Sequence, residues 1–469
     1  MLNGTPKIAC AYTRIGFLWT AIVILIVSSA NLAYAQVKTA TVSGTVYDAS
    51  GAVLSGAMVQ AKNVATGFIQ SAKADDAGRY RIPDLPVGTY EVQASADGFE
   101  TIVNKDINLT VGSQPVIDFA LPAGGKNEAV TVVSQVSQVE TQNAALSFLI
   151  TQNQIRDLPL NGRNFEQLLT LGTGVQSIPV TPPGAGASAT FYGQQNNYSF
   201  SGSRPVGQSF LIDDTDIQGF FDHGAGSSVT GNSLGIDAIR EFQVLTNTYS
   251  AQFGGTGAVV NAVSRSGTND WHGSAFEFLR NSVFDAKNFF DVASEPIPSF
   301  RRNQFGGTLG GPLKKDKLFV FVNYEGLRQS LGQTGRQYVP DANVHKGILP
   351  CSALNNTVGC TASTPDTSFG VPDPSNPNPA LARIAQILDL YPLPNASPAA
   401  GLPVGADLLD SLGRRTGAGL FTSVAHQVVN EDYVLARVDY QLTENDSLFG
   451  RYVSDRASQL IPFPFAQLS

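Results

Sequence analysis

The chain has 469 residues, a net charge of −8, 14% charged residues and 46 glycines. A negative chain lacks the basic surface that nucleic-acid binding requires, so no nucleic-acid partner is expected. Few charges and a glycine content above the usual ~7% are uncommon in a soluble enzyme and typical of an exported β protein.

Residues 1–35 have the features of a secretory signal peptide. Lys7 and Arg14 precede an apolar run over 15–27, and Ala33-Tyr34-Ala35 follows as a small-x-small cleavage site. The apolar run is shorter than the ~20 residues that a membrane-spanning helix needs. We therefore predict export, with cleavage after Ala35.

Residues 38–122 alternate polar and apolar side chains, and Gly, Pro and Asp interrupt the runs. This pattern predicts short antiparallel strands, so we expect a small β-sandwich. The stretch DDAGRYRIPDLPVGTYEVQASADGF within it resembles the carboxypeptidase regulatory-like domain, a carbohydrate-binding-like fold. None of the four histidines stands in an H-x-x-E or H-E-x-x-H pattern, so zinc peptidase activity is not expected.

A linker over 123–147 follows and begins with AGGKN. It contains NEAVTVVS (127–134), an acidic residue followed by a Val/Thr run, which predicts an extended strand. One interpretation is a segment that pairs with another protein by strand addition. The other is a last strand of the sandwich or a simple linker strand. The position between two domains favours the first.

Residues 148–270 mix short helical pieces with Gly and Pro turns, which predicts a mixed α/β unit. Leu168, Leu169 and Leu171 would form the apolar side of a helix that ends at Gly172.

The unit ends in SAQFGGTGAVVNAVSRSGTND (250–270). A phosphate site would need a third glycine in the G-x-G-x-x-G spacing or a following G-K-[ST], and neither is present. We interpret Gly254, Gly255 and Gly257 as turn and packing positions before a strand over 258–264.

From residue 271 onward the strands have one apolar and one mostly polar face, as in 304–313 and 434–442. Strands between lipid and a wet lumen have this pattern, and so do amphipathic strands of soluble sandwiches. The lengths of the connections between these strands favour a transmembrane barrel over a soluble sandwich.

The connections at 314–317 and 443–446 are tight turns, whereas those at 285–299 and 331–430 are long. Transmembrane barrels alternate short and long connections in this way. The expected fold is mainly β, with an N-terminal β-sandwich, a mixed α/β domain and an incomplete antiparallel transmembrane β-barrel over 271–469.

Several stretches resemble the TonB-dependent outer-membrane transporters, in particular their Oar-like group: LPLNGRNFEQLLTLGTGV, FSGSRPVGQSFLIDDTDIQG, IREFQVLTNTYSAQFGGTGAVVNAVSRSGTNDWHGSAFEFLRN and FRRNQFGGTLGGPLKKDKLFVFVNYEGLRQ. The resemblance implies that residues 148–270 form a plug inside a barrel in the outer membrane, with the sandwich in the periplasm. It implies TonB, membrane lipid and an extracellular ligand as partners, and no cofactor. The ligand class, whether siderophore, carbohydrate or peptide, stays open.

The resemblance also gives the strand in the linker a role as the TonB-interacting segment. The residues concerned are Glu128, Ala129, Val130, Thr131, Val132 and Val133. Pairing of this segment with TonB would transmit energy that loosens the plug.

Cys351 and Cys360 lie close together in a Pro-, Ser- and Asn-rich stretch. In an exported chain, such a pair indicates a loop disulfide rather than a metal site.

No enzyme activity is expected. The G-x-S-x-G sequence around Ser233 lacks the apolar strand that a nucleophile elbow requires. The DDTDIQG sequence (213–219) has Ala225 where a calcium loop needs a bidentate Glu.

The alternative function is a secreted or surface-attached β-rich adhesin or carbohydrate-binding protein, which would not need to be integrated in a membrane. Five candidate strands are also fewer than the ~8 of the smallest single-chain barrels and the ~22 of plugged transporters. The chain ends in PFPFAQLS without a terminal aromatic strand. We therefore expect a truncated product or a fragment.

Overall fold

A computed structural model describes the protein over fourteen stretches of the chain. They are 39–124, 129–132, 145–178, 197–204, 207–218, 234–249, 251–253, 257–286, 297–350, 367–368, 387–397, 403–409, 414–443 and 446–460. The described residues are mainly β-strand, which confirms the expected fold class. No helix in these stretches is both long and apolar enough to cross a membrane.

The N-terminal unit is a β-sandwich, as the alternating sequence predicts. Its strands are β1 (Thr39–Asp48), β2 (Met58–Asn63), β3 (Ile69–Lys73), β4 (Arg79–Pro86), β5 (Gly88–Ser95), β6 (Thr101–Leu109), β7 (Phe119–Leu121) and β8 (Ala129–Val132). One sheet has the order β4-β1-β7 and the other β3-β2-β5-β6-β8. Because side chains alternate between the faces of a strand, every second residue of β5 is buried. Tyr90 and Val92 of this strand lie in the core.

The strand β8 pairs with β6, and this pairing is parallel. It connects residues 101–104 with residues 129–132. The segment that the sequence places in the linker is therefore the fifth strand of the larger sandwich sheet.

The central unit follows and is a mixed α/β structure. Its elements are β9 (Leu146–Ile150), α1 (Gln152–Asp157), β10 (Val175–Ile178), β11 (Asn197–Phe200), β12 (Ser209–Ile212), β13 (Thr215–Asp216), β14 (Ile239–Asn247) and β15 (Val259–Ser264). Five strands form a sheet of order β13-β12-β15-β14-β9, and β10 pairs with β11. All six residues of β15 are buried, as expected for a central strand.

Two short helical segments shape this unit. Thr151 caps α1 in a capping box with Gln154. The helix expected around Leu168 is a 3₁₀ helix over Phe165–Leu171, with Gly172 at its C-cap. Leu168 and Leu169 are buried, but Leu171 is 56% exposed, because the tighter 3₁₀ turn rotates it away from the core.

The third unit is a long antiparallel sheet. Its strands are β16 (His272–Asn281), β17 (Phe300–Lys314), β18 (Leu318–Pro340), β21 (Asp407–Leu409), β22 (Arg415–Gln441) and β23 (Ser447–Leu460). The order is β16-β17-β18-β22-β21, and β23 also pairs with β22. The small hairpin β19 (Ile348–Leu349) and β20 (Thr367–Ser368) and the helix α2 (Ala342–His345) lie between β18 and β21.

The predicted alternation of this sheet is confirmed. On β17, Leu309 and Leu313 are exposed while Gln304 and Thr308 are buried. The apolar side chains thus face outward and the polar ones inward.

The expected bounds of the long connection, 331–430, are wrong. β18 continues to Pro340 and β22 starts at Arg415, so the segment between these strands is 341–414. The added strand residues lack strong polar–apolar alternation, which is why the sequence pattern ended early.

Candidate functional site

The central unit lies against the inward face of the long sheet, and an apolar cluster forms one part of this contact. Leu234 and Ala238 of the central unit pack with Phe321 and Leu435 of the sheet. Leu435 breaks the polar face of its strand, and it does so because it contacts the central unit rather than a wet lumen.

Gly235 permits the backbone to approach the sheet closely. Its φ is 83°, and a Cβ at this position would overlap the ring of Tyr433 on β22. A residue with a side chain would therefore separate the two units or strain the backbone.

A first group of charges, the Asp213 cluster, joins the central unit to two strands of the sheet. It comprises Asp213, Ser264, Arg437, Asp439 and Arg451. The Asp213 carboxylate lies 2.7 Å from Arg451 Nη1 and 3.4 Å from Arg437 Nη1. Arg437 Nη2 also lies 2.8 Å from Asp439 Oδ1. Arg437 is thus held by acids from both sides of the interface, and Arg451 by Asp213 of the central unit.

The local backbone explains the position of Asp213. Asp213 and Asp214 form the two-residue turn between β12 and β13, with φ of 43° and 66°. Two consecutive positive φ values are typical of a type I′ hairpin, which Asp and Asn tolerate. In this turn Asp213 accepts hydrogen bonds from Ser264 N at 2.9 Å and Ser264 Oγ at 2.6 Å.

Burial and charge act in opposite directions on Asp213. Burial alone would raise the pKa of its carboxyl, but Arg437, the hydrogen bonds from Ser264 and Arg451 outweigh that effect. The pKa of Asp213 is therefore held below its usual value. The carboxylate is charged at neutral pH, as the two ion pairs require.

A second group, the Glu325 cluster, is centred on Glu325 of β18, whose side chain is fully buried. It comprises Glu325, Arg163, Gln304, Asp237 and Gly235. Glu325 accepts from Gln304 Nε2 at 2.7 Å and from Gly235 N at 2.9 Å. Arg163 bridges the two acids, with Nε 3.3 Å from Glu325 and Nη2 2.6 Å from Asp237.

Arg163 has an uncommon backbone conformation, with φ of 57° directly after Gly162 at 72°. Left-handed conformations of residues other than glycine are costly and persist where the surroundings fix them. Here the guanidinium stacks 3.9 Å from the ring centroid of Phe276 on β16. The LNGRNF sequence therefore forms a turn that aims an arginine at the sheet.

A cavity of about 490 Å³ adjoins the Glu325 cluster. The start of the central unit (155–163), residues 236–237 and the strands β16 and β17 line it, and Arg156, Arg280 and Arg302 contribute charge to its wall. Its volume is in the range of small-molecule sites. The boundary between central unit and sheet therefore has room for a ligand or for water.

The sandwich contacts the central unit just beyond the end of β6. Val111 N donates to Glu241 Oε1 of β14 at 2.6 Å, in a buried position. Val87, Val111 and Val263 form an apolar cluster around this bond. Burial raises the pKa of Glu241, and the bond from Val111 and the nearby Arg240 offset this only in part.

A further contact ties the sandwich to the rim of the sheet. Asn269 N donates to Ala65 O at 2.9 Å, and Asn269 Nδ2 donates to Asp316 Oδ1 at 2.7 Å. Asp316 lies in the tight turn between β17 and β18. The sandwich is thus at the short-turn end of the sheet.

The structure describes only part of the site residues expected from sequence. Ala129, Val130, Thr131 and Val132 form β8, whereas Glu128 and Val133 lie outside the described residues. Gly257 N donates to Gly207 O at 2.8 Å, and a Cβ at Gly257 would lie 3.1 Å from the Gly207 backbone. Gly254, Gly255, Ser233, Cys351 and Cys360 also lie outside the described residues. The described stretches contain no cluster of His, Cys, Asp or Glu suited to a metal ion.

Sequence reasoning missed the residues that join the units. Asp213 stands just before the calcium-loop pattern, which starts at Asp214, and Arg163 and Glu325 stand only within longer motifs. The sequence does show charged residues on the inward face of strands whose outward face is apolar. A charge that is buried needs a partner, so these residues were candidates for contacts between the units.

Two domain families match the chain. The carboxypeptidase regulatory-like domain matches residues 41–122, and the outer membrane beta barrel domain matches residues 263–469. The TonB-dependent transporter Oar of Myxococcus xanthus is 26% identical over 320 residues, which is 64% of this chain and 28% of that relative. The chain carries an outer membrane beta-barrel domain and is a homologue of the TonB-dependent transporter Oar.

Solved structures of receptors are also similar to this chain. The siderophore receptor PirA from Acinetobacter baumannii is 19% identical, with a TM-score of 0.34, and the match covers 68% of this chain and 32% of that one. The ferric enterobactin receptor PfeA from Pseudomonas aeruginosa is 14% identical, with a TM-score of 0.34, over 68% and 34% of the two chains. The matched barrel domain places the protein in the outer membrane. The two charge clusters thus lie between the central unit and strands of the matched barrel domain.

Proposed function

We propose that the chain belongs to an energy-coupled receptor that takes up an extracellular ligand through a plugged outer-membrane barrel, with TonB as partner. The ligand is a siderophore, a carbohydrate or a peptide. The supporting observation is that the central unit contacts the sheet through two separate buried charge groups, the Asp213 and Glu325 clusters.

Charged contacts suit a plug that must be displaced. A buried ion pair is stable only while its geometry is kept, and removing one partner leaves a buried charge. If the plug shifts, however, water can solvate the separated groups, whereas separated apolar surfaces would be unfavourable in water. The contact between the plug and the sheet can thus be stable in the absence of force and still separate and re-form when the plug moves.

The order of elements supports coupling through residues 128–133. β8 precedes β9 in the chain, and β9 is the edge strand of the central sheet, paired with β14. A pull on β8 would therefore first load an edge strand that has a single partner in that sheet. Strand addition by TonB to this segment depends on backbone hydrogen bonds.

The test replaces Val130 or Val132 by proline in the intact transporter. Proline removes a backbone donor, so uptake should be abolished. Ligand binding at the outer face should be unchanged, since the plug and the outer segments are not altered. Labelled ferric siderophores, oligosaccharides and peptides, offered as a panel to whole cells, measure both binding and accumulation.

The matched controls are Val130→Thr and Val132→Thr, which change the side chain and keep the backbone donor. They should transport normally. Deletion of the sandwich (38–122) should reduce uptake less than proline does. Normal accumulation in the double proline variant would contradict coupling through this segment.

A further inference from the structure

We propose that the sandwich presents the TonB-pairing segment as a preformed sheet edge. In this arrangement, β8 stays paired with β6 on one side, and an extended strand of the periplasmic domain of TonB pairs with its other side. The inference rests on the proposed function and adds to it the docking surface and the role of the sandwich.

The pairing of β8 supports this arrangement. Ala129 to Val132 stand opposite Thr101 to Asn104 in a parallel ladder. Among the described residues, β8 is the last strand of the sheet β3-β2-β5-β6-β8. Successive residues of a strand direct their backbone N–H and C=O groups to opposite sides, so half of these groups face away from β6. That row is a template for one more strand.

A held strand is also a better docking partner than a free one. An extended segment in a flexible linker must lose backbone conformational freedom when it binds. The ladder with β6 has already fixed that conformation, and preorganisation of this kind increases affinity.

The position of β6 fixes this edge relative to the plug. The first residues of β6 carry β8, and Val111, two residues past the end of β6, donates to Glu241 of the central sheet at 2.6 Å. Gly112 lies against Gln243 of the same strand. The docking edge is therefore connected to the plug through the sandwich as well as along the chain.

A reversible disulfide lock tests the inference. Val103→Cys and Thr131→Cys, which face each other in the ladder, are introduced with Cys351 and Cys360 replaced by Ser. The matched control lock is Gln60→Cys with Gln93→Cys, an opposed pair on β2 and β5 away from β8. Binding of the isolated periplasmic domain of TonB to the detergent-solubilised protein is then measured with each lock oxidised and reduced.

We expect the oxidised 103–131 lock to bind TonB within about threefold of its reduced form, because the outer edge of β8 stays open. Loss of binding by more than about tenfold on oxidation, reversed by reductant and absent from the control lock, would overturn the proposal, since the segment would then have to leave β6 first. If the unmodified protein does not bind TonB at all, the proposed function itself fails.

Discussion

The Asp213 carboxylate, on a two-residue turn of the central unit, lies 2.7 Å from the guanidinium of Arg451 on β23, 238 positions later in the chain. Both side chains are less than a tenth exposed. A single acid thus ties the central unit to a strand of the long sheet.

The first prediction concerns this acid. Asp213→Asn removes the negative charge between Arg437 and Arg451 and should destabilise local packing by about 3 kcal/mol. Hydrogen exchange of the β12 and β15 amides measures the change. Because the pKa of Asp213 is lowered, its contribution is present above the ordinary aspartate pKa and is lost as the pH falls through the lowered value.

The control is Asp216→Asn, the same substitution at an exposed position on the same hairpin. It should leave exchange in β12 and β15 unchanged. Equal effects of the two substitutions would show that the turn, and not the ion pairs of Asp213, determines the exchange rates in β12 and β15.

The second prediction has the opposite pH dependence. Because burial raises the pKa of Glu241, the packing that encloses this carboxyl should be most stable at low pH and should lose stability as the pH rises through the raised pKa. Protection of the Val111 amide, corrected for intrinsic exchange, should therefore decrease as the pH rises above the ordinary glutamate pKa.

Glu241→Gln keeps an oxygen acceptor without a charge, so the dependence should disappear and protection at neutral pH should increase. Glu91→Gln, on the sandwich surface, is the control. Constant protection of Val111 in the unmodified protein would contradict this prediction.

The third prediction concerns Gly235. Gly235→Ala combines a left-handed backbone with overlap on Tyr433 and should cost about 3 kcal/mol. Adding Tyr433→Leu should recover the steric part and leave the backbone cost of about 1–2 kcal/mol.

Gly202→Ala, at φ 81° with no neighbour within 4 Å, should show that backbone cost alone. Hydrogen exchange over 234–249 measures each variant, and no recovery in the double variant would exclude the clash with Tyr433.

The fourth prediction concerns plug sealing. Arg163→Ala leaves Glu325 buried without its cation and should loosen the plug by about 3 kcal/mol. Cells that express the variant should become more sensitive to a large hydrophilic antibiotic that an intact outer membrane excludes. Arg156→Ala, which removes an exposed ion pair with Asp157 at the same cavity, should not change sensitivity. Equal sensitivity of both variants would contradict a sealing role for Arg163.

The sequence alone predicted which side chains lie on the outer face of the sheet and which on the inner face. The outer face contacts lipid and the inner face does not, so apolar and polar residues alternate along each strand. Val438 and Tyr440 are outward and Arg437 is inward, as the pattern indicated. The inward Leu435 could not be interpreted, because its partner Phe321 is on another strand.

The ion pairs could not be predicted either. Asp213 and Arg451 meet only because one turn and one strand are brought together by the whole fold. The parallel pairing of β8 with β6 is a similar case, since a short Val/Thr run is compatible with several partners.

The length of the β18–β22 ladder has a consequence for the cell surface. The two strands pair over 23 residues, which is about 75 Å at ~3.3 Å per residue. A tilted strand crosses a bilayer in about 9–11 residues, so roughly half of this ladder extends beyond the lipid, at the end away from the sandwich. A phage, an antibody or a neighbouring cell that attaches to this protein would meet that stiff projection before it reached the lumen.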